Sequence, residues 1–172
     1  LNSEIKHLIE FRLDINKQYP GLHISANVME LQQDQVKSGF EIMIDEIESE
    51  SIELQSPEAY PMLLKTYSIW INAISQTRIY MANRLASFSE EILQDQGQSL
   101  NNIYDLFLLN IRQLQTLYAQ EDSFEGTEIL NNIENIAQEW HLQFLEVRAI
   151  AESDKWRSDT LIMKTRVFPV ML

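Results

Sequence analysis

The sequence predicts an all-α protein, and three observations carry that prediction. Only four glycines and four prolines occur in 172 residues, too few for a turn-rich β fold or a glycine-rich phosphate loop. Six of the eight fall at or near breaks between periodic segments. Between those breaks apolar residues recur at steps of three and four, which marks one buried stripe per helix, and strand-like alternation is missing. The expected architecture is an up-down-up-down bundle of four long helices, with short N- and C-terminal helices at the end carrying both termini. At this length one domain covering 1–172 is expected.

A short helical stretch, 2–18, opens the chain and stops at Tyr19-Pro20-Gly21, because proline cannot continue a helix. The first long helix follows with Met29, Val36, Phe40, Met43, Ile47 and Leu54 in phase. Ser56-Pro57-Glu58 combines an N-cap residue, proline at the first helical position and an acid at the positive helix end. The second long helix is expected to bury Tyr60, Leu64, Tyr67, Ile71, Ile74, Met81, Leu85 and Phe88, with Arg78 in the one gap. After the turn at Ser87-Phe88-Ser89 the third repeats Ile92, Gln96, Leu100, Ile103, Phe107, Asn110, Leu114 and Leu117. Past the break at Glu121–Gly126, the fourth carries Leu130, Ile133, Ala137, Trp140, Phe144, Val147 and Ala151. Ser153-Asp154 opens a last short segment, about 155–168, closed by Pro169, in which Trp156 is expected to cap the core. The turns at 54–57 and 120–127 should lie at the end away from the termini.

Composition excludes several functions. The chain lacks cysteine, which removes disulfides, thiolate zinc sites and a cysteine nucleophile. A formal charge of −13 is wrong for a general nucleic-acid binder. The acids cluster at the distal turns: seven lie between Lys37 and Lys65 without an intervening base, and Glu121, Asp122, Glu125 and Glu128 follow in the other turn. Seven of the thirteen bases sit in the two terminal segments. This polarity is either ordinary solvation of helix starts or a sign that the basic end faces an anionic surface. One Glu-x-x-His pair, Glu4 and His7, is half of a di-iron motif, so no metal site is expected. Nucleophile elbows, Walker loops and dinucleotide fingerprints are missing, so neither an enzyme nor a cofactor is expected.

The sharpest feature lies in Trp70–Arg84. Arg78 occupies a seam position, where a guanidinium needs a partner. Trp70, Thr77 and Arg84 line one edge of that stripe at seven-residue spacing, and Asn110 sits in the next helix's seam. Two readings stay open: Arg78 pairs with an internal acid while Asn110 fixes register, or Trp70, Thr77, Arg78, Arg84 and Asn110 line an inter-helical pocket for a small anionic or carboxylate ligand. Glu134, His141 and Arg148 form a second seven-spaced stripe, read as a solvated flank with one internal ion pair.

With long helices, adjacent termini, no cysteine and that seam arginine, the chain resembles the helical extracytoplasmic sensor domains of bacterial transmembrane receptors. These are the input domains of sensor histidine kinases, chemoreceptors and diguanylate cyclases. The stretches Arg78-Ile79-Tyr80-Met81-Ala82-Asn83-Arg84-Leu85 and Trp156-Arg157-Ser158-Asp159-Thr160-Leu161 carry the resemblance. It departs from the nitrate-sensor type, whose paired-proline, Arg-rich motif is missing here. The resemblance implies a non-enzymatic ligand-sensing module in the periplasm, anchored in the inner membrane through flanking segments outside this chain. It also implies a homodimer and signalling by small helix shifts. The alternative is a cytoplasmic scaffold or adaptor that binds a partner helix in a groove.

Overall fold

The computed structural model describes residues 2–49, 56–86, 89–120, 123–167 and 169. Among these the regular structure is helical throughout, with no strand. The elements are α1 (Asn2–Arg12), α2 (Ile15–Gln18), α3 (Pro20–Ile24), α4 (Glu30–Glu48), α5 (Ala59–Leu85), α6 (Glu90–Gln120), α7 (Phe124–Ala151) and α8 (Ser158–Ile162). A π-helical turn, Ser25–Met29, joins α3 to α4, and a second, Met163–Val167, follows α8. The expected acidic side chains Glu50, Glu53, Glu121 and Asp122, with Leu54 and Ser87-Phe88, lie outside the described residues.

Local chemistry explains the breaks. Tyr19 leaves helical geometry at φ −127°, and Pro20 then occupies the first turn of α3, where its missing N–H costs nothing. Ser89 opens α6, its hydroxyl accepting from the Ile92 N–H at 3.4 Å, and Glu90 and Glu91 occupy the first turn. The start of α5 is different from expectation. The helix begins at Ala59, its cap residue Glu58 makes no side-chain capping bond, and the turn is closed by the Ala59 N–H on the Ser56 carbonyl at 3.2 Å.

The chain divides into two compact units, one made of 1–30 and 142–172, the other of 31–141. In the unit of 31–141, each of four helices contributes at least one large ring to a single cluster. Trp70 of α5 lies 5.0 Å from Phe107 of α6 and 5.0 Å from Trp140 of α7, and Phe40 of α4 meets Phe107 at 6.2 Å. All four are essentially without solvent contact. Gly39 lets α4 and α7 approach, since a Cβ there would meet the Ile133 side chain at 2.9 Å.

In the other unit α1 packs on α8 and on Met163–Val167, and α2 on α8, so the two short terminal segments do come together as expected. Trp156 is buried there, edge-on to Tyr19 at 5.8 Å and against Gly21.

Candidate functional site

The predicted column of α7 is the buried one: Leu130, Ile133, Ala137, Trp140, Phe144, Val147 and Ala151 are all inside. In α5 the buried column is rotated by one residue. Ala59, Leu63, Thr66, Trp70, Ala73, Thr77 and Tyr80 face the core, whereas Leu64, Ile71, Arg78 and Leu85 are exposed. Arg78 is therefore not in the seam. A step of one residue turns a helix by about 100°, which carries its guanidinium from the core to water.

The other predicted site residues separate accordingly. Trp70 and Thr77 are core residues and not an edge. The indole N–H of Trp70 donates to the Gln33 carbonyl at 3.4 Å, and the Thr77 hydroxyl donates back to the Ala73 carbonyl at 2.9 Å. Asn110 is buried, and its amide donates to the Leu106 carbonyl of its own helix at 2.7 Å. Back-bonding of this kind lets a polar side chain sit in a core without a partner from another helix. Arg84 is half-buried. Trp70, Thr77 and Asn110 thus lie inside while Arg78 points out, and the structure does not bring the five to one face. Arg78→Met is expected to change stability by no more than about 0.5 kcal/mol, the usual range for an exposed position. Chemical denaturation checks this, and a loss of several kcal/mol would return Arg78 to a buried ion pair.

Two polar clusters take their place. In the terminal unit Asp159 is fully buried, and two arginines converge on it. Arg12 Nε donates to Oδ2 at 3.1 Å, while Arg157 donates through Nε to Oδ1 at 3.2 Å and through Nη2 to Oδ2 at 3.0 Å. Burial pushes the Asp159 carboxyl up, but the hydrogen bond and charge of Arg157, the hydrogen bond from Arg12 and the Thr160 backbone N–H outweigh it and hold the group below the usual carboxylate range. The Arg157 guanidinium also lies 5.9 Å from the Tyr19 ring centre. The sequence stretch Trp156–Asp159 stood out, yet its partner Arg12 lies 147 residues away, and nothing local signals that pairing.

The second cluster joins α6 and α7. Glu134 accepts from Arg112 at 3.3 Å, from Gln115 at 2.8 Å and from Gln138 at 3.3 Å, and Gln115 also donates to Asn131 at 3.0 Å. Along the same pair, His141 stacks on Tyr104 with ring centres 3.8 Å apart and contacts Asn101 Oδ1 at 3.0 Å. Burial holds the imidazole below its ordinary range, against the pull of Asp105. Burial, then Glu134 and Asp105, push the Tyr104 phenol up to about 12, with Arg112 acting the other way. Arg148 pairs with Glu152 at 2.7 Å, so the Glu134, His141 and Arg148 stripe splits among different partners. An open groove of about 620 Å³ adjoins the cluster, walled by Arg112, Gln115, Thr116, Gln120, Thr127 and Asn131. Its walls hold one guanidinium, three side-chain amides and two hydroxyls. Arg112 and Gln115 already donate to Glu134 beside the groove, and the Thr116 and Thr127 hydroxyls donate to backbone carbonyls at 2.9 and 2.8 Å. That leaves the rest of the Arg112 guanidinium and the amides of Gln120 and Asn131 for an oxyanion.

Among the described residues, no three His, Asp or Glu side chains gather as a metal-binding group. None of their helices is long and apolar enough to cross a membrane. Comparison with protein-family models, with curated proteins and with solved structures gave no match.

Proposed function

We propose that this chain is the non-enzymatic, ligand-sensing input domain of a bacterial transmembrane receptor, held at the periplasmic face of the inner membrane by flanking segments. The observation that supports this reading best is the Asp159 staple. Stretches 1–30 and 142–172 belong to one unit and are joined by a buried carboxylate held between two half-exposed arginines, which suits a domain tethered through both ends. The four long helices are proposed to alternate in direction. Tyr60 donating to Glu48 and Tyr67 to Glu41 fit that alternation for α4 and α5, as do Arg112 with Glu134 and Asn101 with His141 for α6 and α7.

The ligand is proposed to be a small carboxylate or other oxyanion in the α6–α7 groove, held by Arg112 with the amides of Gln120 and Asn131. The groove lies between α6 and α7, so a bound ligand is proposed to act by shifting these two helices against each other. Two measurements test the proposal. The gene should encode apolar runs of about 20 residues on both sides of this stretch. A thermal-shift screen of small carboxylates and oxyanions should raise the melting midpoint of the wild type and not of Arg112→Gln, because a ligand stabilises only the state that binds it. Flanks without such runs overturn the receptor reading, and equal shifts in both proteins overturn the groove. A cytoplasmic adaptor that binds a partner helix is the second reading, favoured by the exposed apolar face of α5.

A further inference from the structure

Helix α5 has more apolar surface than its core uses. Outside the buried column lies a second one in which Leu64, Ile71, Arg78 and Leu85 recur every seven residues, interleaved with Pro61, Ser68, Ser75 and Ala82. All eight are exposed, with Leu64, Ile71 and Leu85 at 40, 42 and 48%. Alternating steps of four and three along one face form the seam of a helix that packs against another helix. Here the seam alternates long side chains with short ones over about seven turns.

We infer that this face pairs with α5 of a second copy, antiparallel, about a two-fold axis between Ile71 and Ser75. In that register Leu85 of each copy meets Pro61 of the other, Leu64 meets Ala82, Arg78 meets Ser68, and Ile71 meets Ser75. Every long residue faces a short one, so the helices interlock closely at each layer. A parallel pair would set long against long, short against short, and Arg78 against Arg78.

Charge favours the antiparallel register over the parallel one. Helix α5 contains no Asp or Glu, and its only charges are Lys65, Arg78 and Arg84, which the antiparallel register keeps apart from their own counterparts in the other copy. Antiparallel pairing moves Arg78 to the level of Ser68 in the other copy. An isologous contact closes at two copies. A strip about 38 Å long and about 10 Å wide covers about 400 Å² per copy, half of a standard interface, so the dimer is weak and reversible.

The pairing goes beyond the sensor reading and does not need it. Two copies tethered to one membrane would satisfy this two-fold only with α5 lying along the membrane plane.

The chain has no cysteine, so engineered ones report cleanly. Leu64→Cys and Ala82→Cys, each made alone, should stay monomeric on mild oxidation and give a disulfide dimer only when mixed. Residues 64 and 64 of an antiparallel pair lie about 27 Å apart, far beyond disulfide reach. Cross-linking of either variant alone would show parallel pairing, and no cross-link in the mixture would show no pairing here; both overturn the proposal. Sedimentation equilibrium should find the wild type dimerising with concentration and Ile71→Glu monomeric, with unchanged helical circular dichroism. A wild type monomeric up to about 1 mM, or an Ile71→Glu protein that dimerises equally, overturns it as well.

Discussion

Trp70→Ala is expected to destabilise the unit of 31–141 by about 3–5 kcal/mol, the range for removing a fully buried large aromatic side chain. Trp70 touches rings from two other helices, Phe107 and Trp140, each 5.0 Å away, and has no solvent exposure. Its removal deletes the apolar transfer energy of the indole and leaves a hole among side chains that are themselves ring-shaped and slow to fill it. It also takes the donor from the Gln33 carbonyl. Urea denaturation followed by circular dichroism measures the effect. A loss below about 1 kcal/mol would mean that the four-helix aromatic cluster is not the centre of this core, and that Trp70 belongs to a surface or a ligand site.

The contrast between Trp70 and Arg78 shows where the sequence was legible. The three longest helices and most of their breaks follow from punctuation and period. The buried face of α7 follows too, because its column contains Trp140 and Phe144 and the neighbouring columns are largely polar. In α5 two adjacent columns are both apolar. The column with the more regular aliphatic run, Leu64, Ile71 and Leu85, is the exposed one, and the core column contains Thr66 and Thr77. Those hydroxyls are silenced by bonds to carbonyls four residues back, at 2.7 and 2.9 Å, which periodicity does not register. The same reason hides Asn110. The Arg78 pocket therefore rested on a one-residue choice between two faces, and that choice decided the site. The Asp159 network was invisible for a different reason, since sequence shows the Arg157 and Asp159 neighbours but not the helix that brings Arg12 to them.

Asp159→Asn is expected to destabilise the terminal unit by about 2–3 kcal/mol near neutral pH. Breaking a buried ion pair usually costs about 3–5 kcal/mol. Here Arg12 and Arg157 are 51 and 48% exposed, so water recovers part of their solvation and the lower figure applies. The pH dependence has a definite sign. The Asp159 carboxyl is held below the ordinary aspartate value of 3.8 in the folded state, so its stabilisation is present above about that pH. It is lost as pH falls through the depressed folded value, when protonation removes the charge that both arginines need. The wild type should therefore lose this increment below about pH 4, and Asp159→Asn, which has no such proton to bind, should show a flatter acid limb. Amide exchange of α1 and α8 against pH reads the effect locally. Equal acid limbs in the two proteins would mean that Asp159 does not hold the chain's ends together. An Asp159→Asn protein whose α1 amides exchange faster while those of α5 and α6 keep their protection would show that the staple acts on the terminal unit alone. That outcome is required if the two ends of the chain are to move as one body under a tethered sensor.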